Sequence, residues 1–371
     1  MKKIDFIYFD AGGGHRAAAT ALKSVIDEQA RPWEIRLVNL QEVLDPLDVF
    51  RKITGIRLQD IYNLMLAKGW TLGSAQGLQF VHGVIRLYHG PTRRLLEKHW
   101  TSTQPDLVVS LVPNFNRVLF ESVRAARPQT PYVTILTDMA DYPPHFWIER
   151  QEQFLVCGTD KAVEQARALG HAESRIFRAS GMIMRPKFYE EVTIDRAAER
   201  ARLGLDTNRP TGLVLFGGQG SKVMLEIARR LPDTQLIFIC GRNESLAKKL
   251  RALPVSAPRH VEGFTSEVPH FMRLADFFIG KPGPGSISEA MAMHLPVIVE
   301  RNAWTLPQER YNADWVRERE VGLVLPNFRA IAPAVQEMLG SLAKFRAGTT
   351  RIRNRAVFEI PEFLATLLEG C

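Results

Sequence analysis

Short apolar runs alternate with stretches of helical periodicity along most of the chain. Between the first two runs, residues 15–30 carry apolar side chains three and four positions apart, which is typical of an amphipathic helix. Repeated alternation of strand and helix predicts parallel sheets with helices on both faces. The runs that we interpret as strands are, in chain order, KIDFIYF, EIRLVNL, DLVVSLV, YVTILTD, QFLVCG, GLVLFGG, QLIFICG, RHVEGF, DFFIGKPG, PVIVE and GLVLP.

The strand and helix pattern restarts after a break near residues 184–195. A chain of 371 residues is also long for a single core. We therefore predict an α/β protein with two doubly wound parallel-sheet domains that face each other across a cleft. The first domain covers residues 1–187 and the second covers 188–345. Residues 346–371 form a helical tail, in which Pro361 opens the last helix and which packs back on the first domain.

The charge of the chain is uneven. The net charge is +8, and residues 51–100 hold eight Lys or Arg against two acids, a local excess of six. Apolar and aromatic residues are interleaved with these cations. Such a mixture suits an anionic membrane surface or nucleic acid, and it also fits a pair of surface helices with solvated arginines.

The cysteine content indicates the compartment. Three widely spaced cysteines form neither a disulfide framework nor a set of metal ligands. The start, MKKIDFIYFD, resembles a first buried strand more than a signal peptide, and no apolar run reaches about 18 residues. We expect a protein of the reducing cytosol without a transmembrane helix.

A glycine-rich turn with a histidine follows the first strand. Gly12, Gly14 and Ala17 match a dinucleotide-binding fingerprint, but the second strand ends at Asn39 instead of an acid. His15 stands at a helix N-terminus, where the helix dipole favours a neutral imidazole that can act as a general base. The alternative is that His15 only caps the helix or packs in the turn.

Glycine-rich turns also precede helices in the second half. In GGQGSK, the backbone N–H groups around Gly218, Gly220 and Ser221 can hold a phosphate, and Lys222 adds charge, although the spacing is not that of a P-loop. In GKPGPGSISEA, residues 280–285 form a tight loop, and we predict a short helix from Ser286 to His294 whose first free N–H groups suit a diphosphate.

Polar side chains near that second turn suit a sugar nucleotide. We expect Ser286, Ser288 and Glu289 to point away from the buried face of the helix or to lie in its first turn. Glu289 can accept hydrogen bonds from ribose hydroxyls, or it can simply complement the helix dipole. The adjacent amide and carboxylate of Gln308 and Glu309 can bind the hydroxyl groups of a sugar.

The segment TDMADYPPHFW follows a strand of the first half. Asp138 lies at the carboxyl end of that strand, where it can orient His15 or bind an acceptor hydroxyl. The loop stiffened by Pro143 and Pro144 carries His145, Phe146 and Trp147, and these aromatic residues can line an apolar path for the acceptor. The alternative is a loop of packed aromatic residues.

Several long motifs together resemble one enzyme family. They are GGGHRAAA, TDM, YPPHFW, SGMIMRPKF, GGQG, CGRN, EGF, GKPGPGSISEA and LPQERYNADWV. Their order resembles that of the monogalactosyldiacylglycerol synthases and the related bacterial processive diacylglycerol glycosyltransferases, over residues 4–345. The chain is also similar to the UDP-N-acetylglucosamine transferase of lipid II synthesis. The resemblance implies a GT-B fold, two Rossmann-like domains with the donor in the second and the acceptor in the first.

The same resemblance implies roles for individual residues. His15 is the candidate base and Asp138 the second catalytic candidate. The implied donor-binding residues are Gly218, Gly220, Ser221, Lys222, Phe264, Thr265, Gly285, Ser286, Glu289, Gln308 and Glu309. The implied acceptor-binding residues are Gly13, Gly14, Asn114, Tyr142 and Phe146. On the acceptor side, however, the chain has Tyr-Pro-Pro-His-Phe where relatives commonly have His-Pro-x-Trp-Phe.

The expected activity is inverting transfer of a hexose from a UDP-sugar to a lipid hydroxyl, such as that of diacylglycerol. The protein is then peripheral on the inner face of the cell membrane, binds an anionic surface and no nucleic acid, and needs neither a cofactor nor a metal. The alternatives are a UDP-sugar epimerase, a glycosyltransferase with a non-lipid acceptor, an NAD-dependent oxidoreductase and a membrane-associated binder without catalysis.

Overall fold

The computed structural model describes residues 1–10, 13–47 and 87–369. Of the segment 51–100, which is predicted to bind a membrane, residues 51–86 therefore lie outside the described residues. The elements of the first half are β1 Lys2–Tyr8, α1 Gly14–Glu28, β2 Trp33–Asn39, α2 Leu40–Leu44, α3 His89–Thr103, β3 Leu107–Ser110, α4 Asn116–Ala126, β4 Tyr132–Ile135, β5 Phe154–Cys157, α5 Asp160–Ala168 and β6 Ile176–Arg178.

The first sheet is parallel throughout its described strands, in the order β2-β1-β3-β4-β5-β6. Successive side chains of β1 point to opposite faces, as a strand requires. Ile4 and Phe6 pack with α1, whereas Ile7 packs with Leu96 and Trp100 of α3. The order reverses between β1 and β3, so the crevice of this sheet opens beside the loop that carries His15.

The second half forms another α/β unit. Its elements are α6 Arg196–Arg202, β7 Thr211–Leu215, α7 Val223–Arg230, β8 Gln235–Ile239, α8 Glu244–Arg251, β9 Arg259–Glu262, α9 Val268–Leu274, β10 Phe277–Gly280, α10 Pro284–Ala292, β11 Val297–Glu300, α11 Arg310–Glu318, β12 Gly322–Leu325, α12 Ile331–Gly340, α13 Leu342–Thr350 and α14 Ala356–Glu369.

The second sheet is also parallel across its described strands, in the order β12-β11-β10-β7-β8-β9. The order reverses between β7 and β10, which places its ligand crevice at the glycine-rich turns after those two strands. The predicted α/β class with two doubly wound sheets is confirmed. All eleven apolar runs contain a strand, and only the short β6 was not predicted among the described strands.

The C-terminal helix α14 packs on the first domain. Its Val357, Ile360 and Leu364 share a core with Leu22 and Ile26 of α1. The expectation that Pro361 opens this helix was wrong, because α14 begins at Ala356 and contains Pro361. Val357 and Ile360, which precede the proline, are buried against α1. This tertiary packing stabilises the helical turn before Pro361, which the local sequence alone does not favour.

The two domains meet in a packed contact near the linker. Met139, Met182 and Phe188 belong to the core of the second sheet, although all three precede its first strand. The predicted division between residues 187 and 188 falls within the 3₁₀ turn Pro186–Phe188. Helix α13 packs on the second domain through Phe345, so the chain returns to the first domain only after α13.

Helix α3 is the described part of the basic segment. It buries Leu96 and Trp100 in the first domain, while Arg93, Arg94 and Lys98 are exposed. Across residues 1–10, 13–47 and 87–369, no helix has the length and apolar character that crossing a bilayer requires.

Candidate functional site

A cleft of about 1300 Å³ separates the two domains. One wall contains residues of α1, from Gly13 to Glu28, and the linker residues 185–187. The opposite wall contains residues at or just after the carboxyl ends of all six strands of the second sheet. They are residues 216–221 after β7, Arg242 after β8, Phe264 after β9, Lys281 after β10, Glu300 at the end of β11 and residues 327–329 after β12. This is the place where α/β proteins bind their ligands.

The cleft brings together only part of the predicted site. The predicted residues in its wall are Gly13, Gly218, Gly220, Ser221, Phe264 and Glu309. Lys222 lies instead in a shallow hollow with Arg229 and Lys249. The remaining predicted residues are not part of this wall: Gly14, His15, Asn114, Asp138, Tyr142, Phe146, Thr265, Gly285, Ser286, Glu289 and Gln308.

His15 occupies the first turn of α1. Gly13 caps this helix with a left-handed backbone, at φ 79°, which a glycine adopts without strain. The Nδ1 atom of His15 lies 3.1 Å from Oγ1 of Thr137. Burial lowers the pKa of His15 to about 4, although a hydrogen bond with the main chain of Leu111 opposes this shift. His15 is therefore neutral at pH 7, as a general base must be.

Asp138 has a different partner from the one first considered. Its Oδ2 accepts a hydrogen bond from Nε1 of Trp147 at 3.0 Å, so Thr137, not Asp138, bonds to His15. Burial raises the pKa of Asp138 to about 7, against the Trp147 hydrogen bond, which lowers it. Glu309 raises and Lys281 lowers this pKa, so charges of the second domain act on Asp138.

The loop after β4 is fixed by a buried carboxylate. Asp141 accepts hydrogen bonds from the backbone N–H groups of His145 at 3.0 Å and Trp147 at 2.6 Å. Phe146 is buried beneath the loop, and its carbonyl accepts from the N–H of Asn114. Phe146 and Asn114 thus hold the loop in place. This agrees with the alternative of a loop of packed aromatic residues better than with an open path for the acceptor.

Tyr142 belongs to the contact between the domains. Its ring lies 6.3 Å from the ring of Tyr311 on α11, centroid to centroid. An aromatic pair at this distance stabilises the approach of the two domains. No local pattern in the sequence indicates this contact, because Tyr142 and Tyr311 lie in different domains.

The glycine-rich turn after β7 packs against the turn after β8. A Cβ atom at Gly241, where φ is 58°, would lie 2.2 Å from the carbonyl oxygen of Gly218. Next to it, the guanidinium of Arg242 lies over the ring of Phe264, 5.0 Å from its centroid. Phe264 is 65% exposed, so this pair presents a flat aromatic surface in the cleft wall.

Helix α10 follows the turn after β10 and begins at Pro284, so the predicted start at Ser286 was wrong by two residues. Burial raises the pKa of Glu289 to about 7, while Arg185 of the linker, 3.8 Å from its carboxylate, opposes the rise. The expectation that Ser288 avoids the buried face was wrong, because α10 packs on more than one side and Ser288 is 7% exposed. Gly285 is exposed and Ser286 half-buried in the first turn.

Gln308 and Glu309 form a 3₁₀ turn, Pro307–Glu309, before α11. Glu309 is buried and accepts a hydrogen bond from Nζ of Lys281 at 2.7 Å, whereas Gln308 is half-buried. Thr265 closes a turn by accepting from the N–H of Glu267. A buried carboxylate beside a lysine can hold a polar substrate and a developing negative charge at the same place.

Sequence reasoning missed several residues of the site. Thr137 contacts His15, and the contact of Trp147 with Asp138 was not predicted. Arg185, Arg242 and Lys281 supply positive charge along the cleft. Lys281 and Arg242 stand inside GKPGPG and CGRN, so those glycine-rich turns were the available signal. Within the part of the chain that the structure describes, no group of three or more His, Cys, Asp or Glu side chains could hold a metal ion.

Comparison with known proteins finds similarity to glycosyltransferases. The Glycosyltransferase family 28 C-terminal domain matches residues 213–332, and the monogalactosyldiacylglycerol synthase of Spinacia oleracea is 27% identical over 92% of the chain. Residues 213–332 of the chain therefore resemble the C-terminal domain of the family 28 glycosyltransferases. The alignment spans 67% of the spinach protein, and that with synthase 1 of Arabidopsis thaliana, 26% identical, covers 92% of the chain and 66% of that protein.

Solved structures confirm the predicted fold of the chain. MurG of Acinetobacter baumannii superposes with a TM-score of 0.66 at 10% identity, over 99% of this chain and all of that one. Anabaena HepE in complex with UDP-glucose superposes with a TM-score of 0.54 at 14% identity, over the full length of both chains. The two Rossmann-like sheets are thus the two halves of a GT-B fold.

Proposed function

We propose that the protein transfers a hexose from a UDP-sugar to a lipid hydroxyl, such as that of diacylglycerol, with inversion at the sugar carbon. The observation that carries this proposal is a neutral histidine, His15, in the first turn of α1, which directly follows Gly13 of the cleft wall, with glycine-rich turns of the second domain on the opposite wall. The relatives named as monogalactosyldiacylglycerol synthases support the lipid acceptor and the hexose. HepE, solved with UDP-glucose, supports the nucleotide sugar.

The donor lies along the second-domain wall. Phe264 and Arg242 hold the flat base, and Glu289 accepts hydrogen bonds from the ribose. The N–H groups of residues 218–221 and the N-terminus of α10, with Gly285 and Ser286, bind the diphosphate. Gln308 and Glu309 bind the hexose, and Lys281 lies beside Glu309, 2.7 Å from its carboxylate.

The reaction is a single displacement. His15 takes the proton of the acceptor hydroxyl while the acceptor oxygen forms a bond to the anomeric carbon. The bond from that carbon to the β-phosphate oxygen breaks, and its electron pair leaves on UDP. Lys281 and the backbone N–H groups stabilise the charge that develops on the diphosphate, so neither a metal nor a cofactor is required.

The acceptor approaches from the first domain, beside Gly13 and Gly14. The basic and apolar segment of residues 51–100 would bind the anionic, cytosolic face of the membrane and admit the lipid. Its described part supports this proposal, since Leu87 is 78% exposed beside the exposed cations of α3.

The test is incubation with a panel of UDP-sugars and diacylglycerol liposomes, with and without anionic lipid. We expect glycolipid and UDP in equal amounts, and a loss of about 10³-fold in kcat for His15→Ala, the range of general base catalysis. The UDP Kd of this variant stays within twofold of the wild type. Full activity in His15→Ala would refute the role of His15.

Other products of the same incubation distinguish the alternatives. An epimerised UDP-sugar formed without lipid identifies an epimerase, and transfer only to soluble acceptors removes the lipid from the proposal. Thermal shift with NAD but not with UDP identifies a dinucleotide enzyme. UDP binding without any turnover identifies a membrane-associated binder without catalysis.

A further inference from the structure

Trp147 lies between the two catalytic candidates of the first domain. Its indole N–H donates to Asp138 at 3.0 Å, and its ring centroid lies 5.8 Å from that of His15, tilted by 53°. Trp147 is fully buried. Asp138 therefore reaches His15 through an indole and not through a direct hydrogen bond.

The backbone of Trp147 is fixed from both sides. Its N–H donates to Asp141, and its carbonyl accepts from Nδ2 of Asn116 at 3.0 Å. Asn116 is itself held, because its Oδ1 accepts from Ser110 at 2.7 Å and from Tyr132 at 2.8 Å. This buried hydrogen-bond network fixes the position of the Trp147 indole more tightly than packing of its ring alone would.

Proton transfer to His15 forms an imidazolium in a site where burial disfavours positive charge. A tryptophan ring attracts a nearby cation through its electron-rich face, and a carboxylate that accepts the indole N–H strengthens that attraction. The other titratable and charged groups that face Asp138 are Asp141 on its own loop and Lys281 and Glu309 across the cleft. Trp147 is the described contact that links Asp138 to His15.

We propose that Trp147 is a positioning residue that couples the Asp138 carboxylate to His15 during sugar transfer. The inference rests on the proposed function for its kinetic test, although its titration test does not. The negative charge of Asp138 stabilises the imidazolium that forms as the acceptor loses its proton. The enzyme then needs Asp138 ionised as well as His15 neutral.

This coupling predicts which group limits activity at low pH. Burial raises the pKa of Asp138 to about 7 and lowers that of His15 to about 4. Since both groups must be unprotonated, kcat rises with pH through about 7, not through about 4. The Trp147 hydrogen bond lowers the pKa of Asp138, so its removal moves this rise to higher pH.

The test compares Trp147→Phe with Trp100→Phe. Trp100 is an equally buried tryptophan of the first domain, and its indole N–H donates to Ser122 at 2.8 Å. A rise of one unit in the Asp138 pKa lowers kcat of Trp147→Phe about fivefold at pH 7, and the loss disappears at pH 9. KM for the UDP-sugar stays unchanged, and Trp100→Phe keeps the wild-type pH profile.

Asp138→Asn is the second variant and does not depend on the folding of Trp147→Phe. It abolishes the rise of kcat near pH 7, and adding Trp147→Phe to it causes no further change in the pH profile. Additive losses in the double variant, or an identical pH profile in Trp147→Phe and Trp100→Phe, would overturn the coupling.

NMR titration of the labelled Asp138 carboxyl tests the same coupling without any substrate. Its pKa rises in Trp147→Phe and not in Trp100→Phe. If the wild type transfers no sugar, the proposed function fails while this titration still decides the coupling. An unchanged Asp138 pKa in a folded Trp147→Phe refutes the inference.

Discussion

Individual side chains in and around the cleft owe their neutral forms to burial. Desolvation lowers the pKa of His15 to about 4 and raises those of Asp138, Glu289 and Glu300 to about 7. Each shift favours the neutral form. Ligand binding that involves one of these carboxyl groups should therefore depend on pH near neutrality.

Replacing Glu289 by Gln tests its role at the ribose. The ionised carboxylate accepts stronger hydrogen bonds than the protonated form, so wild-type affinity for UDP rises from pH 6 to pH 8. In Glu289→Gln we expect UDP to bind about tenfold more weakly at pH 8, which corresponds to about 1.4 kcal/mol, with no rise between the two pH values. Calorimetric titration with UDP at both pH values measures this effect.

Glu300→Gln is the matched control for that experiment. Glu300 also lines the cleft and also has a pKa raised to about 7, but it ends β11 and its hydrogen-bond partners are Asn302 and the main chain of Phe328. UDP affinity in this variant keeps its rise with pH. If both variants lose the rise of UDP affinity with pH, that rise does not identify Glu289 as the carboxylate that binds the ribose.

At the scale of elements, turns between strands and helices form the second-domain wall of the cleft. The turns after β7 and β8 touch where Gly241 approaches Gly218, and this contact needs a residue without a side chain. Motifs that look separate in the sequence, GGQG and CGRN, are therefore two sides of one surface.

Gly241→Ala should damage this surface. The added methyl group meets the Gly218 carbonyl, and a left-handed backbone costs about 1–2 kcal/mol for alanine. We expect a loss of about 2 kcal/mol or more in unfolding free energy and weaker UDP binding by about tenfold. Denaturant unfolding and UDP titration measure the two effects. Gly340→Ala, at a position with no atom within 4 Å of the new methyl group, should change neither quantity appreciably.

The C-terminal helix should stabilise the first domain, although it follows the second in sequence. Leu364 is fully buried against α1, so Leu364→Ala should lower the free energy of unfolding by about 2–5 kcal/mol. Thr366→Ala, an exposed position on the same helix, is the control and should stay within about 0.5 kcal/mol. Denaturant unfolding of the two variants decides whether α14 supports the fold.

At the scale of the whole molecule, the chain crosses between its domains more than once. The linker contributes an ion pair from Lys187 to Glu267 at 2.5 Å, and Asp160 of α5 pairs with Arg319 at 2.8 Å. Exposed pairs of this kind add little stability, so they guide the approach of the domains more than they hold it. The buried Met139 and Met182 supply the apolar part of the contact.

The membrane binding that we propose also belongs to the scale of the whole molecule. The double substitution Arg94→Gln and Lys98→Gln removes two exposed cations of α3. At about 1 kcal/mol for each cation, affinity for anionic liposomes should fall about 25-fold, while UDP binding stays unchanged. Liposome sedimentation at fixed salt measures the change.

Lys248→Gln with Lys249→Gln, two exposed cations on α8 of the second domain, is the control with the same change of charge. It should reduce liposome binding by less than twofold. Equal losses in the two double variants would mean that net charge, and not the basic face of the first domain, governs binding.

The sequence by itself determined the α/β architecture with two doubly wound sheets. Periodicity marks strands and helices because burial of one face is a local requirement, and a glycine-rich turn before a helix carries its free N–H groups within a few residues. Gly218, Gly220, Ser221 and Glu309 could thus be selected from their own segments, and they lie in the cleft wall, whereas Phe264 was selected only through the resemblance to a family.

Only the tertiary structure decided the partners of the catalytic candidates. Thr137 beside His15, Trp147 beside Asp138 and Lys281 beside Glu309 join residues that are separated by 122, 9 and 28 positions. The neutral state of His15 likewise depends on burial by the assembled domain. Contacts between distant segments and the removal of water from a site arise only when the chain folds, so no local pattern contains them.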